Sequence, residues 1–176
     1  MIAENIGPGA NGVSKPTAGH TIETVGELLA CALSIESDAL ARYRGLARRM
    51  LELKNHSLVE LFNMLATQEQ EHAANIRARI RQLRLGSVPA APLHSLSVRT
   101  FEAIPHHLVN EVTTPVEALL LARSGERASR EFFGQIAATA SSAELRKLAA
   151  ELTAEQVEHE NMIERVIAAH RDGQQL

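Results

Sequence analysis

Long stretches in which apolar residues recur every three or four positions alternate along this chain with short breaks rich in Gly, Pro, Ser and Asn. That step is the mark of helices with one buried face. It predicts four long helices, at about 24–53, 57–85, 114–140 and 142–170. The first contains no Pro, and only Gly26 and Gly45 weaken it. Lys54, Asn55 and His56 break the pattern, and Ser57 with Glu60 predicts a capping box for the second helix. Gly86 is its expected stop, with Arg77, Arg79, Arg81 and Arg84 near its negative end. Thr114 followed by Pro115 predicts the third start, and Ser141-Ser142-Ala143-Glu144 the fourth.

Residues 1–20 lack the basic start and apolar run of a signal peptide and read as a mobile tail ahead of a bundle over 21–172. Residues 86–113 hold Pro89, Pro92 and Pro105 and read as a long crossover, with room for a short helix around Val98–Ile104. Tight turns within each helix pair make its members antiparallel neighbours. The expected fold is therefore all-α, an antiparallel four-helix bundle with one long crossover between helices two and three. The pairs also resemble each other. IESDALARYRGLA from Ile35 aligns with GERASREFFGQIA from Gly125, and LATQEQEHAANI from Leu65 with LTAEQVEHENMI from Leu152, as an internal duplication would leave them.

The inward seams are apolar except at one level. The first reads Leu29, Ala32, Glu36, Ala39, Tyr43, Leu46, Met50, Leu53, and the second Leu58, Phe62, Leu65, Glu69, His72, Ile76, Ile80, Leu83. The third reads Leu119, Ala122, Glu126, Ser129, Phe133, Ile136, and the fourth Leu145, Ala149, Leu152, Gln156, His159, Ile163, Val166. Counted from the turns at ~1.5 Å per residue, these polar groups fall within about a turn of one another. Buried carboxylates need a partner or a proton. No Lys or Arg lies on the seams near that level, so metal cations are the expected counter-charge. Oxygen and imidazole donors suit iron or manganese, and also zinc.

One Glu on a helix, then Glu-x-x-His on the next, repeated, resembles the two-metal signature of ferritin-like proteins. Glu36 with Tyr43, LATQEQEH, and TPVEALLLARSGERASREFF resemble the rubrerythrin-type branch over roughly residues 24–170. The resemblance implies Glu36, Glu69 and His72 at a first iron, Glu126 and His159 at a second, and bridging by Glu69 and Glu126. Gln156 stands where the branch has Glu and is a poorer ligand, which bears on the second position. Tyr43 is a candidate for bonding a ligand or passing an electron, against a core role like that of Phe133. Glu155 and Glu158 flank the seam and are aimed away from it.

Composition narrows the chemistry. A net charge of −3 leaves no basic footprint for nucleic acid, and no window is apolar enough to span a membrane. The lone Cys31 excludes an internal disulfide and a rubredoxin-type iron centre, reads as a small buried hydrophobe, and fits a cytoplasmic protein. Met50, Met64 and Met162 read as core filling; His20, His94, His106 and His107 read as surface residues. The expected activity is oxidoreductase chemistry at a non-haem di-iron centre with O₂ or hydrogen peroxide, of ferroxidase or peroxidase type. An external electron donor is expected, and the resemblance implies a dimer or larger homo-oligomer. Manganese catalase-like activity, hydroxylation of an organic substrate, an iron-storage shell and a non-catalytic bundle with a degenerate site are the alternatives.

Overall fold

The structure is a computed structural model that describes residues 21–85 and 107–171. The expected tail at 1–20 and the short helix at Val98–Ile104 lie outside the described residues. The helices are α1 (Val25–Glu52), α2 (His56–Gln82), α3 (His107–Glu111), α4 (Pro115–Thr139) and α5 (Ala143–Arg171), and no strand occurs among the described residues. The long helices form the expected bundle, in which α1 packs along α2 and α4 along α5.

Helix starts follow local chemistry. Thr24 and Glu27 form a reciprocal capping box on α1, and Thr114 and Glu117 repeat it on α4 ahead of Pro115. Two starts differ from expectation. Asn55, not Ser57, caps α2, its side-chain oxygen accepting the Leu58 N–H at 3.0 Å. Ser142, not Ser141, caps α5 by accepting the Leu145 N–H at 3.4 Å. In each case a competent side chain lay within two residues, and spacing alone does not choose between them.

The two ends of the first hairpin share one device. Lys54 takes φ 57°, its N–H bonds to Leu51 O, and the Asn55 N–H bonds to Met50 O at 2.9 Å. Arg84 takes φ 50°, with bonds to Arg81 O and from Leu85 N–H to Ile80 O. Both are left-handed helix terminations of the kind glycine favours. Thus α2 ends before Gly86 is reached, and Leu85 turns back onto the core near Gly26.

The interior divides into two apolar clusters. One centres on Tyr43, Leu46, Met50, Phe62, Leu119 and Ile163. The other centres on Leu28, Ile35, Ile76, Phe132, Phe133 and Leu152. Cys31 is buried in the second, and burial, with Glu27 nearby, pushes its thiol up to about 11. The expected core role of Met64 fails, since it faces outward at 45% exposure. Near the end of α5, Ile167 is buried and Val166 packs half-buried against the same cluster. Short α3 leans on α1 at Gly45, where a Cβ would meet Val109 Cγ1 at 2.9 Å, and Arg49 Nε donates to Val112 O at 2.6 Å. No described helix is long and apolar enough to cross a membrane.

A left-handed lysine carries strain that glycine would relieve, partly offset by glycine's freer unfolded chain. Lys54→Gly is expected to raise stability by roughly 0.5–1 kcal/mol. Urea unfolding measures this, and a destabilised variant would contradict it.

Candidate metal centre

Between the two apolar clusters the four long helices each turn a polar side chain inward. Glu36 on α1, Glu69 on α2 and Glu126 on α4 are fully buried, with Gln156 and His159 on α5 almost so. His72, one helical turn after Glu69, is about one-fifth exposed. The rings of His72 and His159 stack with centroids 5.3 Å apart. In two overlapping groups, Glu36–Glu69–His72 and Glu69–Glu126–His159, ligating atoms from the residues lie within 4.8 Å of one another. All the residues expected at this level are therefore brought together.

The hydrogen bonds leave one inward set of atoms free. Glu36 Oε1 accepts from Gln156 Nε2 at 3.2 Å. Glu126 Oε1 accepts the Tyr43 hydroxyl in a short hydrogen bond, and Arg42 Nη2 lies 3.5 Å from the same oxygen. Glu36 Oε2, both oxygens of Glu69, Glu126 Oε2, His72 Nδ1 and His159 Nδ1 have no hydrogen-bond partner. His159 Nδ1 does come within 2.9 Å of Glu69 Oε1, but without the alignment of a hydrogen bond. Buried, unpaired carboxylate and imidazole atoms from four helices are the donor set that divalent cations take. The residues present fit that role.

Three features depart from the reading of the seams. Arg42 was not expected. It lies one residue off the seam, yet is only 7% exposed and reaches Glu126 across Gly125. The available signal was the internal alignment, which sets Gly125 opposite Ile35 and so marks a gap in the second half. Glu126 offers one inward oxygen, so only Glu69 has both free to bridge. Glu155, expected to point away, sits with Oε2 3.9 Å from His72 Nδ1. It edges a cavity of about 100 Å³ whose walls include His72, Asn75, Arg79 and Glu151. Glu158 is exposed, as expected, and so is His107. Gln156 acts on Glu36 through its amide, and Tyr43 acts on Glu126 through its hydroxyl.

Packing so many ionisable groups together shifts their protons. Burial, with Glu36 alongside, pushes the Glu69 carboxyl up to about 9. Burial also pushes Glu36 up, but its contacts with Glu69 and His72 outweigh this and hold it below the usual range. His159 is opposed by burial, yet Glu126 and Glu69 raise it to about 10. Contact with Glu36 raises His72 despite burial. Burial, then Glu126, raises Tyr43 well above the phenol range. Burial raises Glu155.

Without metal, Glu69 and His159 hold protons at neutral pH that the unfolded chain, with values of 4.5 and 6.5, would release. Stability from that source falls as pH rises, through 4.5 to about 9 for Glu69 and 6.5 to about 10 for His159. A cation bound among these groups would replace those protons. Metal binding at pH 7 is therefore expected to release protons, on the order of two per fully loaded chain, and to tighten from pH 6 to 8. Calorimetry in buffers of different ionisation enthalpy counts them, and a buffer-independent heat would contradict the assignment.

Comparison with known proteins agrees with this geometry. A family model described as Rubrerythrin matches residues 27–114, half of the chain, including Glu36, Glu69 and His72. Among solved structures, an uncharacterized conserved protein from Magnetospirillum magnetotacticum MS-1 superposes with a TM-score of 0.67 at 27% identity. The match covers 82% of this chain and 94% of that one. No curated protein matches. With a helical bundle, a midpoint layer of carboxylate and imidazole groups able to hold metal, and half its length matched, the chain belongs to the rubrerythrin family of ferritin-like proteins.

Proposed function

We propose that the protein holds iron in its carboxylate–histidine layer and carries out redox chemistry with O₂ or hydrogen peroxide, in the ferroxidase or peroxidase class. The observation that carries this is the convergence of six unpartnered ligand atoms, five of them on residues almost wholly buried. Leaving such atoms unsatisfied costs about 1–3 kcal/mol each, and more where they are charged. A cation removes that cost. Oxygen and nitrogen donors without thiolate favour iron or manganese, with zinc also accommodated. Iron is the usual metal of the family and is the one proposed.

Bound ferrous ions would supply the electrons that reduce the oxidant. The chain's own residues do the rest. Glu69, with both oxygens free, would be shared between the two positions, Glu36 and His72 would hold one, and Glu126 and His159 the other. Tyr43 and Gln156 fix the directions of Glu126 and Glu36. Tyr43 is therefore a positioning residue, a narrower role than electron transfer. The apolar clusters flank the layer, and its opening is on the His72 side. A cavity of about 100 Å³ reaches His72 and gives a small oxidant a path to the edge of the layer. An external donor supplies the electrons in this reading. A cytoplasmic dimer or larger homo-oligomer completes the proposal.

Anaerobic ferrous loading followed by metal analysis and peroxide turnover with an electron donor tests this reading. At most two irons per chain and donor-dependent turnover are expected, and Glu69→Ala is expected to lose both ions. Metal-free wild-type protein, or full metal content in Glu69→Ala, would overturn it. Many irons per chain in a large shell would point to storage, and peroxide loss without a donor on manganese loading to a catalase.

A further inference from the structure

The two halves of the bundle are related by sequence but not by charge. In the internal alignment Arg42 corresponds to Phe132, and Gly125 to Ile35. Phe132 and Ile35 share an apolar cluster on one side of the layer. At the matching place on the other side a guanidinium lies over a glycine. A Cβ on Gly125 would fall 2.4 Å from Arg42 Nη2, 2.6 Å from Cζ and 2.9 Å from Nε. Only the missing side chain lets Arg42 in. Its Nη2 lies 3.5 Å from Glu126 Oε1, the oxygen that also takes the Tyr43 hydroxyl, and its Nε has no partner. Glu126 belongs only to the His159 group. Glu36 has a neutral donor instead, the Gln156 amide.

We infer that Arg42 is a built-in counter-charge, admitted by Gly125, that makes the two metal positions unequal. The Glu36–Glu69–His72 group takes the first divalent cation tightly. The Glu69–Glu126–His159 group takes a second only weakly. This rests on the metal-binding reading above and goes beyond it by ordering the positions. One effect falls on the weak side alone. Arg42 offsets the charge of Glu126 and repels an arriving cation. The neutral hydrogen bonds do not separate the two sides, since the Tyr43 hydroxyl takes one oxygen of Glu126 and Gln156 takes one oxygen of Glu36. A buried unit charge a few ångströms from a divalent ion is felt strongly, so removing it is expected to tighten the second step by roughly tenfold or more.

Stepwise anaerobic titration with cobalt(II), followed by calorimetry and visible absorption, reads both steps without any activity. Wild type is expected to show one tight and one weak step. Arg42→Gln, which keeps a donor but removes the charge, should tighten the second step and leave the first nearly unchanged. Arg42→Lys, which keeps the charge, should retain the gap. Gly125→Ala should crowd the guanidinium away from Glu126 and act like Arg42→Gln. Damage to the fold weakens binding, so a gain separates this role from a merely structural one. Two equal tight steps in wild type, or an unchanged or weakened second step in both Arg42→Gln and Gly125→Ala, would overturn the inference. Wild type that binds no metal would overturn the underlying reading, and the inference with it.

Discussion

Three carboxylates and two imidazoles lie in the part of the bundle where aliphatic side chains would ordinarily meet. Stripping an ionised carboxylate of water costs several kcal/mol even after the protein relaxes. A layer of this kind persists only if something meets its charge. Protons, Arg42 and the Tyr43 and Gln156 donors meet part of it, and the inward atoms without a partner mark the part left unmet, where a cation could bind. The spacing of the helices, the apolar clusters on either side and the small cavity beside His72 all take their meaning from that layer.

The fold supplies what the layer needs. Each hairpin brings a lone glutamate level with a residue pair three positions apart on the returning helix. Left-handed turns at Lys54 and Arg84 close both ends of α2 without glycine, and the Thr24 and Thr114 boxes begin the two helices that carry the lone glutamates. The two hairpins carry matching sequence segments around the same arrangement. The exceptions, Arg42 against Phe132, Gly125 against Ile35 and Gln156 against Glu69, fall around the layer and make its two sides chemically different.

Much of this was legible in the sequence because burial imposes a three-and-four step on a helix. The seam residues of α1 and α4 are buried almost throughout, and Glu36, Glu69, His72, Glu126, Gln156 and His159 share one level. The step fails at its edges. Leu83 falls beyond the end of α2, and Ile167 is buried where Val166 is half-buried. Periodicity also ignores side-chain reach. Arg42 sits off the seam, but its long stem carries the guanidinium inward over a residue with no side chain. Glu155 returns toward His72 from a half-buried position by the same freedom. Caps at Asn55 and Ser142 were displaced from Ser57 and Ser141 because neighbouring residues offered the same oxygen.

The central claim is that this layer is a cation site. The most direct test is anomalous diffraction at the iron edge from crystals loaded anaerobically with ferrous ion. The account predicts a scatterer among Glu36, Glu69 and His72, stronger than any beside Glu126 and His159. Scatterers confined to the surface, with the buried carboxylates paired only to protein, would contradict it.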